Sequence, residues 1–82
     1  MKKLEYYGAK WCGPCKMLKP IIKELKNSGL NIEIIDIDEN SDKAAKNGVM
    51  GVPTIIIYKN NKVFERFTGF KSKEEIVYLM SE

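Results

Sequence analysis

Residues 4–25 read LEYYGAKWCGPCKMLKPIIKEL and place two cysteines between a β-prone stretch and an amphipathic segment. Apolar side chains in the second half recur at the i, i+3, i+4 and i+7 spacing of one helix face, at Leu18, Ile21, Ile22 and Leu25. Gly8 and the two residues after it interrupt the β-prone pattern. The segment therefore predicts a strand that leads directly into a helix, with Cys12 and Cys15 where the two elements meet.

Further strand and helix signals alternate along the middle of the chain. Isoleucine-rich residues 31–38 predict a second strand, and residues 41–46 predict a short helix. Residues 54–58 are an almost continuous β-branched run, which is typical of a strand covered on both faces. The order up to this point indicates strands connected through helices.

Two local signals organise the C-terminal third of the chain. Asn60 and Asn61 predict a two-residue hairpin turn, and Ser72 with Glu75 fits a capping box that opens a last helix. The complete order is β-α-β-α-β-β-α. Helical crossovers favour parallel pairing of the early strands, and the turn favours an antiparallel hairpin. We therefore expect one α/β domain over residues 1–82, a four-stranded mixed sheet with helices on both faces.

Charge is spread along the chain: 14 Lys and Arg against 11 Asp and Glu give a net charge of +3. Interleaved charges of both signs are typical of a solvated Lys/Glu surface, whereas a nucleic-acid site gathers its cations on one face. Arg66 is the single arginine, so bidentate phosphate recognition is poorly supported. We expect no nucleic-acid partner, and we interpret the acidic residues 36–42 as a solvated loop and helix cap.

Histidine is absent, which excludes His-based acid–base catalysis, Cys-His nucleophile pairs and His-containing metal sites. Two cysteines alone cannot close a four-ligand zinc site within one chain without recruiting carboxylates. We expect no metal and no cofactor. The short apolar runs and the lack of a signal-peptide pattern predict a cytoplasmic monomer without membrane contact. In that compartment a cysteine pair is more often catalytic or metal-binding than structural.

The spacing of Cys12 and Cys15 allows a disulfide within one helical turn. At the helix start Cys12 lies near unpaired N–H groups and the positive end of the helix dipole, and both favour the thiolate. Cys15, one turn further in, is expected to be more buried and less ionised. Pro14 costs no hydrogen bond in the first turn and stiffens the ring that the disulfide closes, while Trp11 offers an apolar surface to a partner. The pattern indicates redox chemistry rather than a structural disulfide or zinc knuckle.

The motif WCGPCK at residues 11–16 resembles the active-site motif of the thioredoxin family. The stretch GVPT at residues 51–54 is similar to the family loop that carries a cis-proline beside the active-site disulfide, which implies a cis Val52–Pro53 bond. Gly69 matches a family glycine near the substrate groove. The resemblance covers essentially the whole chain. It implies a thioredoxin-like fold without the N-terminal strand and helix of full-length thioredoxins, and the reduction of protein disulfides.

The resemblance also implies roles for individual residues. Cys12 is expected to attack a disulfide in a partner protein, and Cys15 to resolve the mixed disulfide. The expected substrate-binding residues are Trp11, Gly13, Pro14, Met50, Gly51, Val52, Pro53 and Gly69. The residues expected to tune the redox chemistry are Pro14, Lys16 and Tyr6.

Position 6 departs from the family pattern. Thioredoxins bury an aspartate six residues before the first cysteine, where this chain has Tyr6, and the lysine beside that aspartate falls at Ile34. Both members of the polar pair are missing together, so Cys15 must lose its proton to water or to a substrate group. We expect Tyr6 and Tyr7 to be core residues.

Two other functions remain open from the sequence. A glutaredoxin-like, glutathione-dependent reductase is favoured by the short N-terminus and disfavoured by Gly13 and Pro14 between the cysteines. A non-catalytic scaffold or cluster-binding module is the alternative from another class. The electron donor is accordingly expected to be an upstream reductase of the thioredoxin-reductase type, or glutathione.

Overall fold

The protein, seen in a computed structural model that describes residues 1–81, contains four strands and three helices within that range, in the predicted order. The strands are β1 (Lys2–Gly8), β2 (Ile32–Asp36), β3 (Thr54–Lys59) and β4 (Lys62–Thr68). The helices are α1 (Gly13–Asn27), α2 (Ser41–Lys46) and α3 (Lys73–Met80). None of these helices has the length and apolar character needed to cross a bilayer.

The strands form one mixed sheet in the order β2-β1-β3-β4. β1 and β2 are parallel, whereas β3 runs antiparallel to both β1 and β4. Strand β2 is shorter than the predicted residues 31–38, because the Asp36 carboxylate accepts a hydrogen bond from the Asp38 N–H (2.8 Å) and opens a turn. Tyr6 of β1 lies directly beside Ile34 of β2, as the sequence alignment of these positions required.

One hairpin turn and one helix cap form as their local sequences predict. Asn60 and Asn61 both adopt positive φ angles, 53° and 69°, which a two-residue hairpin turn between twisted strands needs. The Ser72 hydroxyl accepts a hydrogen bond from the Glu75 N–H (3.2 Å), and the Glu75 carboxylate accepts one from the Ser72 N–H (3.2 Å). This reciprocal capping box begins α3.

The core is divided between the two faces of the sheet, because successive strand residues point to opposite sides. On the face covered by α1 and α3, the buried side chains are Leu4, Tyr6, Leu18, Ile22, Leu25, Ile32, Ile55, Ile57, Ile76 and Met80. On the face covered by α2, they are Tyr7, Ile35, Ala44 and Ile56. Helices therefore cover both faces, as predicted, and the adjacent residues Tyr6 and Tyr7 belong to different halves of the core.

Glu5 corrects the expectation of a wholly solvated Lys/Glu surface, since it is only 6% exposed. One oxygen of its carboxylate accepts hydrogen bonds from the hydroxyls of Tyr7 (2.9 Å) and Tyr58 (3.0 Å). The other lies 3.7 Å from the ammonium of Lys43 on α2. Asn47 in turn donates to the Tyr7 hydroxyl (2.9 Å). A buried charge is tolerated only when it is paired and hydrogen-bonded, and this cluster meets both conditions.

The single arginine lies on β4 and closes the end of α2. Its guanidinium donates to the main-chain carbonyls of Asn47 (2.7 Å) and Gly48 (2.5 Å). Those carbonyls belong to the residues that follow the helix, where acceptors are left unpaired. Arg66 thus has a structural role within the fold.

Candidate active site

The cysteine motif occupies the connection between β1 and α1, at one end of the sheet. Cys12 is the N-cap residue of α1 and has extended backbone angles (φ −84°, ψ 117°). Its N–H donates to the Ala9 carbonyl (3.2 Å), which closes a turn directly after β1. Pro14 follows in the first helical turn, where its missing N–H costs nothing. The strand end and the helix start together fix the position of Cys12.

Cys12 and Cys15 form a disulfide, with their Cα atoms 5.2 Å apart. The Sγ atom of Cys12 accepts a hydrogen bond from the Cys15 N–H at 3.2 Å. That N–H is one of the donors that a helix start leaves without a main-chain partner. In the reduced protein the same donor, together with the helix dipole, stabilises negative charge on Cys12. The geometry therefore favours Cys12 as the nucleophile.

The expected difference in burial between the two cysteines is wrong for the oxidised protein: Cys12 is 4% exposed and Cys15 is 3% exposed. Both pack in one small cluster with Ala9, and Val52 contacts that cluster from the opposite loop. Ile37 packs against the same cluster, and neither contact can be read from the position of Cys12 at the helix start. The two sulfurs differ in hydrogen bonding rather than in exposure.

The loop before β3 faces the disulfide, as the resemblance implied. Its Val52–Pro53 peptide bond is cis, as predicted. The Thr54 hydroxyl donates to the Gly51 carbonyl (2.6 Å), and the Pro53 carbonyl accepts a hydrogen bond from the Gly69 N–H (2.8 Å). Gly69 has a φ angle of +104°, which residues with a side chain rarely adopt. The loop and Gly69 therefore lie together beside the cysteines.

Val52 offers main-chain groups next to the disulfide. Its side chain contacts the cysteine cluster. Among residues 1–81, its N–H and C=O are engaged in no hydrogen bond. An extended segment of another chain can pair with such free main-chain groups in the manner of a sheet edge.

Trp11 and Met50 present apolar surface around this position, with exposed fractions of 66% and 98%. The indole N–H of Trp11 donates to the Asp38 carboxylate (2.9 Å) and thereby holds the ring in place. Sequence reasoning treated Asp38 as a solvated loop residue and missed this contact. The sequence does contain a signal for the contact between Trp11 and Asp38. Because β1 and β2 are predicted to be parallel, the residues that follow these two strands meet at the same end of the sheet.

A cavity of about 230 Å³ adjoins the disulfide on the α1 side of the sheet. The residues that line it include Tyr6, Cys15, Lys16, Ile34 and Asp36. Tyr6 is 1% exposed, as expected of a core residue, and burial raises the pKa of its hydroxyl. That hydroxyl has no hydrogen-bond partner among the described residues. Sequence reasoning identified the position and its burial but not the unpaired hydroxyl.

The remaining predicted residues lie in the first turn of α1. Gly13, Pro14 and Lys16 are exposed there, between and after the two cysteines. Within residues 1–81, no three Cys, Asp or Glu side chains are grouped so that they could hold a metal ion. The cysteine pair itself can carry out thiol–disulfide exchange.

The thioredoxin family model matches residues 3–82. The chain belongs to the thioredoxin family. The thioredoxin of Bacillus subtilis is 43% identical to it over 79 residues, which are 93% of this chain and 76% of that protein. A mutant thioredoxin from Halobacterium salinarum has a similar structure, with a TM-score of 0.87, 32% identity and coverage of 96% of this chain and 71% of that one. For a thioredoxin from Nicotiana alata the TM-score is 0.85 and the identity 35%, over 99% of this chain and 74% of that one.

Membership of the thioredoxin family confirms the predicted fold class and activity. The protein has a thioredoxin-like fold, and it is a thiol–disulfide oxidoreductase that reduces protein disulfides. The comparisons favour the thioredoxin function over the glutaredoxin alternative. The family implies disulfide-containing substrates and a reductase that restores the dithiol.

Proposed function

We propose that Cys12 is the nucleophile and Cys15 the resolving residue of this reductase. The observation that carries the assignment is the hydrogen bond from the Cys15 N–H to the Cys12 sulfur at the start of α1. The Cys12 thiolate attacks a substrate disulfide, a mixed disulfide forms, and the first substrate sulfur leaves. Cys15 then attacks the Cys12 sulfur, closes the Cys12–Cys15 disulfide and releases the second substrate thiol. Two electrons pass from the protein to the substrate.

The substrate groove is proposed to lie between the start of α1 and the loop before β3. The free main-chain groups of Val52 pair with an extended substrate segment next to the disulfide. The exposed rings and side chains of Trp11 and Met50 contact the substrate's apolar residues. The full set of proposed contact residues is Trp11, Gly13, Pro14, Met50, Gly51, Val52, Pro53 and Gly69.

The readiness of the dithiol to be oxidised is proposed to depend on three neighbours of the cysteines. Pro14 restricts the ring that the disulfide closes. Lys16 and Tyr6 both line the cavity that Cys15 borders. Positive charge and hydrogen-bond donors near a sulfur favour its thiolate and hence the reduced state.

We further propose the cellular setting of the reaction. Residues 1–82 act as one cytoplasmic, monomeric domain without a bound cofactor or nucleic acid. A reductase of the thioredoxin-reductase type restores the dithiol, and glutathione is the alternative donor. A glutathione-disulfide assay separates the two donors.

The assignment of the cysteines is tested by trapping. In Cys15→Ser the mixed disulfide cannot be resolved, so substrate proteins should stay linked to Cys12 until a reductant is added. Cys12→Ser is the matched control and should trap nothing. Equal trapping by both variants, or by Cys12→Ser alone, would overturn the proposed roles.

A further inference from the structure

The hydroxyl of Thr54 is a buried polar group at the start of β3, two residues after Val52. Thr54 is 1% exposed, and its hydroxyl donates to the Gly51 carbonyl (2.6 Å). The Thr68 hydroxyl lies 3.3 Å away on the neighbouring strand β4. Because a hydroxyl has one proton and that of Thr54 goes to Gly51, Thr68 is the donor in this second contact. The Thr54 hydroxyl therefore donates to the loop and accepts from β4.

This hydroxyl makes the one hydrogen bond that holds the middle of the loop before β3. Within residues 1–81, residues 50–52 form no hydrogen bond except the one that the Gly51 carbonyl accepts from Thr54. The next residue along, Pro53, is held separately, because its carbonyl accepts from the Gly69 N–H (2.8 Å). The orientation of the main chain at residues 50–52 thus depends on Thr54.

The Gly51 carbonyl and the Val52 N–H belong to the same peptide group, which is planar. The cis bonds among residues 1–81 consist of Val52–Pro53 alone, so the bond between Gly51 and Val52 is trans. In a trans peptide the C=O and N–H bonds point in opposite directions. Since the carbonyl points to the Thr54 hydroxyl, the Val52 N–H points away from it. Thr54 therefore sets the direction of a free donor next to the disulfide.

We propose that Thr54 is a positioning residue for substrate binding, and that its hydroxyl aims the Val52 N–H at a main-chain carbonyl of the substrate. This inference rests on the proposed substrate groove beside Val52. Thr54 is buried and acts through the peptide group between Gly51 and Val52. The substrates that gain from it are those with an extended peptide segment beside the disulfide, because such a segment presents a carbonyl to the N–H.

The gain comes from fixing the donor before the substrate arrives. Without the Thr54 hydroxyl, the peptide group between Gly51 and Val52 has no partner on the protein and can rotate. Binding must then order this group, and the cost of that ordering is subtracted from the affinity. The chemistry of the two cysteines does not depend on this peptide group, so the loss should be confined to substrates that use the Val52 N–H.

Two peptides that differ only in their main chain provide the test. Each carries one cysteine joined by a disulfide to a coloured aromatic thiol, and in one peptide esters replace the two amides that flank the cysteine. An ester lacks the N–H and is a weaker acceptor, so it pairs poorly with the main chain of Val52. The reduced protein is mixed with each peptide, and release of the coloured thiol is followed by stopped flow. The readout is the ratio of the two second-order rate constants, amide over ester.

The wild type should react with the amide peptide about tenfold faster than with the ester peptide. Thr54→Val keeps the shape of threonine without the hydroxyl, and it should reduce this ratio about fivefold, the effect expected of one net hydrogen bond. Its rate with the ester peptide should match the wild type. Thr54→Ser restores the hydroxyl and should restore the ratio. Thr68→Val makes the same change as Thr54→Val on the neighbouring strand but leaves the Gly51 bond in place, so it should keep the wild-type ratio.

A wild-type ratio in Thr54→Val would overturn the inference and leave the proposed groove intact. Equal slowing of both peptides by Thr54→Val would also overturn it, as would an equally reduced ratio in Thr68→Val or Thr54→Ser, because each would indicate a general effect on the fold. If the wild type itself does not distinguish the two peptides, the proposed groove is wrong, and this inference with it. Thr54→Ala carries the same comparison if circular dichroism shows that Thr54→Val does not fold.

Discussion

Tyr6 and Tyr7 are neighbours in β1 and are both almost completely buried. The hydroxyl of Tyr7 is hydrogen-bonded, whereas that of Tyr6 is not. The Tyr7 hydroxyl faces α2, donates to the Glu5 carboxylate (2.9 Å) and accepts from Asn47 (2.9 Å). The Tyr6 side chain packs against α1 on the other face, and no other group within residues 1–81 bonds to its hydroxyl. One residue step along the strand separates a satisfied polar network from a buried hydroxyl without a partner.

The two faces of the sheet therefore differ in how their buried polar groups are hydrogen-bonded. On the α2 face every polar group of the Glu5 cluster has a partner, which serves stability. On the α1 face the Tyr6 hydroxyl is buried without a partner among residues 1–81, which costs about 1–3 kcal/mol. A domain of this size has little stability to spare, so this cost is a sizeable part of the total.

Tyr6→Asp should have the largest effect on stability. It replaces a ring by a small side chain in the core, which costs about 3–5 kcal/mol. It also buries a carboxyl beside Ile34, where desolvation raises the folded-state pKa above the unfolded value of ~3.9. The unfolded chain then releases the proton first, so stability falls as pH climbs from the unfolded pKa to the folded pKa. Denaturant unfolding of the oxidised protein across this window measures the fall.

Tyr6→Asn is the matched control for that prediction, because it has the size of aspartate without the charge. It should show the loss from the smaller side chain but no added pH dependence. If the Asp and Asn variants have the same pH slope, position 6 is solvated and the two faces do not differ as described.

Gly8→Ala should destabilise the fold by about 1–3 kcal/mol, because the new methyl group overlaps the Tyr6 ring and forces it to move. The cost should fall when Tyr6 is first replaced by the shorter Leu. A double-mutant cycle on the free energy of unfolding measures this coupling. Equal costs in both backgrounds would show that Gly8 is needed for some reason other than the ring.

Glu33→Gln probes the charges at the edge of the α2 face and should have the smallest effect. The ammonium of Lys43, followed by that of Lys3, lowers the pKa of Glu33. A lowered pKa contributes stability above the unfolded value of ~4.3, and that stability disappears as pH falls through the folded pKa. Because both partners are well exposed, the loss at neutral pH should stay below about 1 kcal/mol.

Acid unfolding compares Glu33→Gln with the wild type. The two stability curves should meet at pH values below the folded pKa of Glu33, and the gap at neutral pH should shrink in high salt. A gap that persists in acid would mean that the substitution acts through packing rather than charge.

Much of the fold follows from local sequence signals. The hairpin at Asn60 and Asn61 and the capping box at Ser72 need only residues that are close in the chain, and both formed as predicted. The cysteine motif likewise carries its own context, a strand end followed by a helix start. Such features can be predicted because their energetics are set within one or two turns of chain.

The features that sequence reasoning missed depend on distant partners. Glu5 is buried because Tyr58, 53 residues away, donates to it across the sheet. The cysteines lie in a small buried cluster against which Ile37 and Val52 pack from other parts of the chain. The unpaired state of the Tyr6 hydroxyl is a property of the residues packed around it. Periodicity and spacing do not encode which side chains meet after the strands have paired.

The unfolding free energies of oxidised Tyr6→Phe and Tyr7→Phe, measured side by side, test the difference in hydrogen bonding between the two faces most directly. Tyr7→Phe withdraws a donor from the buried Glu5 carboxylate and should lose about 2 kcal/mol. Tyr6→Phe removes a buried hydroxyl without a partner among residues 1–81, so it should leave stability unchanged or raise it, by at most about 1–3 kcal/mol. Equal losses in the two variants would contradict the account, because they would mean that the Tyr6 hydroxyl is hydrogen-bonded in the folded protein as the Tyr7 hydroxyl is.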